Sequence, residues 1–358
     1  MASKRRSKRD NLGEFLDTAK ADRRANYQQR ARRVLLAGEL TEAEIATQFG
    51  LTKGEVSELL ESFRAAGANL VQHGSRWSID RHLAPVSESA WKIAVPASRK
   101  VRVGFIADTH LGSRHERLDV CESLYDWFAA EGVTNVYHCG NWIEGVAHFN
   151  RHELQPACHG MQEQVDYFIE HYPSRSGVTT YYVAGDDHEG WWSQREGVDI
   201  GRLLQQTAHA SGRGDLVYLG YKEAFVSLEL HGGKGSCRML IDHPGGGSAY
   251  AVSYAAQKRI EAAQGGEKPA IWAFGHWHKG GYFVCRNVHA LLVPCCKDLD
   301  TFGRKKGLEY VIGGVVVDIT LDERGAVAEF SPRFRLFFDR GYYNQQYGMS
   351  GPLLKRKA

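Results

Sequence analysis

The chain has 358 residues, 43% of them hydrophobic and 11% aromatic, enough to bury a sizeable core in two domains or three. Its net charge of +3 hides an uneven distribution: residues 1–33 hold eleven Lys or Arg against four Asp or Glu, so a basic arm precedes a mildly acidic body. No apolar run reaches the roughly 18 residues a membrane span requires, and the opening MASKRRSKRD lacks the apolar stretch of a secretory signal, so the expectation is a cytoplasmic protein with no membrane partner.

Residues 1–25 read as a solvated, disordered basic arm able to contact a phosphate backbone. Residues 26–80 change in character. Helical spacing links Ala31, Val34 and Leu35, then Ile45 and Phe49, and resumes in Val56, Leu59, Leu60 and Phe63. Thr41 with Glu44, and Thr52 with Glu55, have capping-box spacing, so two short helices begin at marked points around the tight turn Phe49-Gly50-Leu51-Thr52. Leu70-Val71 and Trp77-Ile79 around His73-Gly74-Ser75 read as a hairpin. The stretch resembles a winged helix-turn-helix domain. That resemblance implies DNA as a partner, with the second helix in the major groove and Lys53, Arg64 and Arg76 among the contacts. Glu55, Glu58 and Glu61 on the same helix oppose a phosphate backbone, and the competing expectation is a module for dimerisation or for docking another protein.

Residues 81–99, with Pro85, Pro96 and several Ser and Ala, read as a linker, and residues 100–340 as the second domain. Val101–Ala107 is a strand, Leu118–Ala130 a helix, Val133–His138 a strand, Met161–His171 a helix, Val178–Ala184 a strand, Ile200–Ala210 a helix and Leu216–Leu219 a strand. This is the alternation of an α/β domain, which places ligands outside the carboxyl ends of its strands. Ala224–Leu230 and Arg238–Ile241 continue as strands, Val252–Ala263 as a helix and Ala270–Phe274 as an apolar strand. Tyr282–Val293, Val311–Leu321 and Ala326–Phe338 are β-rich, with a turn at Asp322-Glu323-Arg324-Gly325; the stretch beyond Val311 is expected to complete a second sheet. Residues 341–358, ending in Lys355-Arg356-Lys357, form a tail. Seven cysteines, an odd number without CxxC spacing, read as reduced thiols, Cys295-Cys296 as small buried side chains.

Polar clusters follow the apolar runs: Asp108-Thr109-His110, Gly140-Asn141 with Glu144, Asp186-Asp187-His188-Glu189, a lone His243, and Gly275-His276-Trp277-His278. Carboxylate and amide oxygens take hard divalent cations, and imidazoles favour Mn²⁺, Fe²⁺ or Zn²⁺. A mixed set suits a pair of ions that clamp phosphoryl oxygens. In order and spacing the clusters resemble the calcineurin-like metallophosphoesterases, whose pattern is D-x-H, G-D-x-x-[DE], G-N-H-[DE], a lone H and G-H-x-H, with the repair exonucleases as one branch. The likeness covers roughly residues 101–280. It implies a four-layer α/β/β/α sandwich, a first metal on Asp108, His110 and His278, a second on Asp187, His243 and His276, Asn141 at the bridging position and His188 as the catalytic histidine that contacts phosphate. The implied cofactors are two divalent ions, Mn²⁺ first, with Fe²⁺, Zn²⁺ or Mg²⁺ as alternatives.

Two departures stand out. Asn141 falls where the family has Asp, and Asp187 where it has Asn, so the number of carboxylates is kept while the charge moves off the bridge. Asp186 is the fallback for Asp187. His138, His148, His152 and His159 are candidates for a substrate cleft, and Trp191 and Trp192 for stacking on a base or packing on the sheet. With the N-terminal module preceding it in the same chain, the expected activity is two-metal hydrolysis of DNA phosphodiesters. The alternatives are a small-molecule or cyclic-nucleotide phosphoesterase, and a non-catalytic DNA-binding or interaction protein whose metal site has decayed.

Overall fold

Thr41 and Thr52 each open a helix in the way their spacing predicts. Thr41 N donates to Glu44 Oε2 at 2.7 Å while Glu44 N donates to Thr41 Oγ1 at 3.2 Å, and Thr52 and Glu55 repeat the exchange at 2.7 and 3.3 Å. The computed structural model describes residues 27–28, 30–65, 70–79, 91–146, 156–232, 235–263 and 268–340, so the basic arm and the C-terminal tail lie outside the described residues. Two compact units result, residues 1–83 with 197–199, and residues 84–196 with 200–358.

The smaller unit contains α1 (residues 30–37), β1 (Leu40–Thr41), α2 (Glu42–Phe49), α3 (Lys53–Ala65), β2 (Leu70–His73) and β3 (Arg76–Ile79), with its strands in the order β1-β3-β2. Gly50 ends α2 at φ 64°, a left-handed cap, which turns the chain into α3. The buried faces converge in one core of Ala31, Leu35, Ile45, Val56, Leu59, Leu60, Phe63, Trp77 and Ile79.

The larger unit runs β4 (Trp91–Ala94), β5 (Lys100–Ile106), α4 (Leu118–Ala130), β6 (Asn135–His138), α5 (Met161–His171), β7 (Thr179–Ala184), α6 (Gly190–Glu196), α7 (Ile200–Ala210), β8 (Leu216–Tyr221), β9 (Glu223–Glu229), β10 (Ser236–Asp242), α8 (Tyr254–Ala262), β11 (Ile271–Phe274), β12 (Gly281–Cys285), β13 (Val288–Leu292), α9 (Thr301–Lys306), β14 (Ile312–Leu321) and β15 (Val327–Phe337). Its strands form two mixed six-stranded sheets, β15-β14-β5-β6-β7-β8 and β12-β13-β11-β10-β9-β4. Their inner faces share one core, to which Val103, Phe105, Tyr137 and Val317 come from the first sheet and Val226, Met239, Ile241 and Ala273 from the second. On the outer face of the second sheet, Ala256 and Ile260 of α8 pack with Leu240, Trp272 and Phe274. On that of the first, Phe128 of α4 lies over Gly104, and Tyr182 Oη donates to Gly201 O of α7 at 2.7 Å. The result is a four-layer α/β/β/α sandwich.

Two expectations change, and a third is sharpened. The segment read as a linker contains β4, which pairs in parallel with β9; Trp91 and Ile93 pack against the sandwich core, and Trp91 Nε1 donates to Leu219 O at 3.2 Å. The alternation of Trp91, Ile93 and Val95 is short, and the surrounding Ser, Ala and Pro obscure it. The strands beyond Val311 join the first sheet instead of the second, with β14 antiparallel to β5 through pairs such as Val317 and Val103. The β-rich Tyr282–Val293 is a hairpin whose turn, Arg286-Asn287, has φ of 48° and 65°, without the glycine that usually signals it.

Candidate metal centre

Parallel pairing carries the scattered clusters to one edge of the sandwich. Asp108 and His110 follow β5, Asn141 follows β6, and Asp187 and His188 follow β7, three neighbouring parallel strands of the first sheet. His243 follows β10, and His276 and His278 follow the parallel neighbour β11 of the second.

The backbone turns sharply at this edge. Asp108, His110, Asn141, His188, His276 and His278 have φ of 49°, 45°, 51°, 48°, 73° and 54°. A left-handed conformation costs a non-glycine residue of order 1–3 kcal/mol, and such strain concentrates at functional sites. It also explains how His276 and His278, at alternating positions, both turn inward. Hydrogen bonds hold the bends: Asp108 N donates to Gly140 O and His110 N to Asn141 O, each at 3.0 Å, and Cys296 N donates to Asp108 O at 3.1 Å. Two glycines leave the room needed. A β-carbon on Gly140 would lie 2.5 Å from His243 Nδ1, and one on Gly185 would lie 2.6 Å from Asn141 Oδ1 and 3.2 Å from Asp187 Oδ1.

Two clusters of metal-ligand type result. In the first, Asp108 Oδ1 lies 3.4 Å from His278 Nε2 and 4.0 Å from His110 Nε2, all three residues being buried. In the second, His243 Nε2 is 3.2 Å from Asp187 Oδ1, His276 Nδ1 is 3.3 Å from Asp187 Oδ2, and the two imidazole nitrogens are 3.2 Å apart. Asp186 is turned away onto Lys222 Nζ at 2.6 Å, leaving Asp187 at the centre.

A third combination, His110 with Glu144 and His188, is spaced closely enough for an ion. Lys297 Nζ, however, lies 3.0 and 3.3 Å from the two Glu144 oxygens, and its positive charge opposes a divalent cation there.

The residues fit a pair of cations. Asp108 Oδ1, Asn141 Oδ1 and His110 Nε2 are buried without a hydrogen-bond partner among the described residues, the condition a bound cation relieves. Two histidines are oriented by carbonyls: His243 Nδ1 is 2.7 Å from Cys139 O, leaving Nε2 on Asp187, and His276 Nε2 is 2.7 Å from Gly246 O, leaving Nδ1 inward. Asn141 N donates to Glu189 Oε1 at 2.9 Å, and Gly185 N to the same oxygen at 2.7 Å, so Glu189 ties two of the loops together. Burial pushes the Glu189 carboxyl up to about 8.

Electrostatics follow the same geometry. Burial alone would raise the Asp108 carboxyl, but His278, His243 and His110 hold it below the usual carboxylate range. Burial likewise opposes charge on His243 and His278, yet Asp187 and Asp108 act on the first, and Cys295 and Asp108 on the second, to push each up to about 10. Burial, Lys297 and His188 keep His110 well below its ordinary value.

His188 stands beside the first cluster, its ring 4.3 Å from that of His110 and stacked on Trp191 at 5.1 Å. Its Nδ1 lies 2.6 Å from Glu144 O, and burial lowers its pKa despite Asp187 and Glu144. Trp192 is buried in the packing. His138 belongs to the core, with Nε2 3.0 Å from Thr109 Oγ1 and a pKa that burial lowers to about 3; His159 is exposed, and His148 and His152 lie outside the described residues.

Within the smaller unit, Lys53 is exposed at the start of α3, and the side chain of Arg64 lies outside the described residues. Arg76 is engaged internally, donating to Glu39 O at 2.9 Å and to Glu44 Oε1 at 3.3 Å. Glu189 and Lys297 were not legible as site residues: Glu189 was visible only as the last letter of a motif, and Lys297 sits in no motif.

No protein-family model matches the chain, and no curated protein matches it. Among solved structures it is similar to an archaeal phosphodiesterase, at 15% identity and a TM-score of 0.34, over 66% of this chain and 100% of that one. It is also similar to a predicted phosphoesterase from Streptococcus pneumoniae TIGR4, at 15% identity and a TM-score of 0.29, over 66% and 98%. A third is Vps29 complexed with Zn²⁺ from Entamoeba histolytica, at 12% identity and a TM-score of 0.31, over 66% and 99%. No described helix is long and apolar enough to cross a membrane.

Proposed function

We propose that the chain is a calcineurin-like metallophosphoesterase, a hydrolase that uses two divalent ions, Mn²⁺ first among them, to cut phosphodiester bonds of DNA. The observation that carries the reading is the pair of clusters, Asp108–His110–His278 and Asp187–His243–His276, set beside the unpartnered amide oxygen of Asn141. Ions bound there would supply Lewis acidity to the phosphoryl oxygens. The chain's own groups do the rest. Asp187 puts a full negative charge on the second cluster, while Asn141 offers a neutral oxygen near it. His188, held through Nδ1 on the Glu144 carbonyl, would act as the imidazolium, taking a proton from solvent and passing it from Nε2 to the leaving oxygen.

DNA as substrate is supported by the helix-turn-helix pattern and hairpin of the smaller unit and by the basic residues 1–33. The test is incubation of the metal-free protein, with and without Mn²⁺, with single- and double-stranded DNA and with an aryl phosphodiester. Mn²⁺-dependent cleavage of DNA supports the full reading. Cleavage of the aryl ester alone would reduce it to a small-molecule phosphoesterase, and no turnover in any divalent ion would leave a non-catalytic binding protein.

A further inference from the structure

Behind the first cluster lies a buried ionic brace that the mechanism does not use. Lys297, 1% exposed, contacts Glu144 Oε2 at 3.0 Å and Asp300 Oδ2 at 2.9 Å. Glu144 Oε2 in turn lies 3.1 Å from His110 Nδ1, the ring nitrogen opposite the one that faces Asp108. That contact sets a carboxylate oxygen against the imidazole at ion-pair distance, with both side chains buried.

Asp300 also reaches the other imidazole of the cluster. Tyr310 Oη donates to Asp300 Oδ1 at 3.3 Å, and the Tyr310 ring meets His278 edge-on, with centroids 4.2 Å apart. Val311 N donates to His278 O at 2.9 Å. Asp300 is itself fixed as the N-cap of α9, accepting from Gly303 N at 2.7 Å.

We propose that Lys297 and Asp300 are positioning residues for the first metal site, acting on His110 through Glu144 and on His278 through Tyr310. This rests on the two-metal reading above. A buried lysine between two carboxylates is costly to desolvate, and removing one of its partners leaves a buried charge less compensated. The brace also keeps Glu144 occupied, so that it orients His110 without ligating a metal. The second cluster is oriented by backbone carbonyls on His243 and His276 in place of an ionic brace, and its Asp187 and His276 are 26% and 15% exposed, against 0% and 1% for Asp108 and His110. The first site, the one with charged outer-shell partners around a fully buried carboxylate, is the one expected to fill first.

The experiment is Mn²⁺ titration of the full chain by calorimetry, with bound-Mn²⁺ EPR to detect the coupled pair. The wild type is expected to bind two ions with unequal affinity. Glu144→Gln and Lys297→Met should each weaken the tighter site by roughly 10–100-fold, the range for loss of an outer-shell partner, and leave the weaker site unchanged. The double variant should be no worse than Glu144→Gln alone. Asp300→Asn, which keeps the side-chain volume, should weaken the same site, and it decides the matter if Lys297→Met does not fold. Unchanged affinities in folded Glu144→Gln and Asp300→Asn overturn the proposal, as does loss of one whole ion from Glu144→Gln, which would make Glu144 a ligand. Absence of Mn²⁺ binding by the wild type would instead remove the two-metal reading itself.

Discussion

His243 Nδ1 lies 2.7 Å from the carbonyl oxygen of Cys139, a contact between the carboxyl ends of β10 in one sheet and β6 in the other. It fixes the ring so that Nε2 meets Asp187. Without a metal, burial works against charge on this ring, but Asp187 and Asp108 overcome it and push its pKa up to about 10 from an ordinary 6.5. A raised folded-state value stabilises the fold fully below about 6.5 and loses that contribution as pH climbs toward 10. The thermal midpoint of the metal-free protein should therefore fall across that window. Mn²⁺ must displace the proton, so binding at pH 8 should release protons, measured as a dependence of calorimetric heat on buffer ionisation enthalpy. Equal heats in all buffers would count against His243 as a ligand.

His188→Ala and Asp108→Ala should separate chemistry from metal binding. The first keeps both ions and lowers turnover by roughly 10²–10⁴-fold, the usual share of a general acid. The second loses the tighter ion. Metal analysis of the purified variants beside kcat distinguishes them, and equal activity after either change would reject the assigned roles.

Asp187→Asn should weaken the second site by more than the roughly 10–100-fold typical of an outer-shell loss, because it removes the charge facing His243 and His276. Adding Asn141→Asp should restore two-ion stoichiometry, with the charge moved back to the bridging position. A folded double variant that binds two ions yet turns over poorly would mark the exchange as tuned to this chain's substrate.

On DNA, Lys53→Ala should reduce the slope of log affinity against log salt by about one unit, as expected for one phosphate contact. Arg76→Ala should change it less, since that guanidinium is already engaged by Glu39 and Glu44. A fluorescence-anisotropy salt series reads both. An unchanged slope for Lys53→Ala would favour a docking role for the smaller unit.

The candidate site is legible in the sequence where it travels with backbone pattern. Asp108, His110, His276 and His278 each follow an apolar run, and the topology that gathers them comes from strand order alone. Asp187 was separable from Asp186 by its place before His188, and the structure turns Asp186 onto Lys222. Lys297 and Asp300 were opaque because their significance comes from Glu144, more than a hundred and fifty positions away, and nothing local marks a lysine as buried. The pairing of β14 with β5 was hidden for a related reason: an antiparallel strand can join either sheet without altering its own sequence pattern. The smaller unit was readable from its caps and apolar spacing, since both signals are local.

The left-handed backbone at Asn141 carries a consequence for laboratory selection. Asn141→Gly would relieve a φ of 51° and so favour the fold, while deleting the amide oxygen that faces the second cluster. Asp108 and His278 share that backbone but also attract each other by charge, so the conflict is sharpest at Asn141. Selection for heat tolerance alone should therefore erode Asn141 early, giving a hardier protein with a weaker candidate metal site.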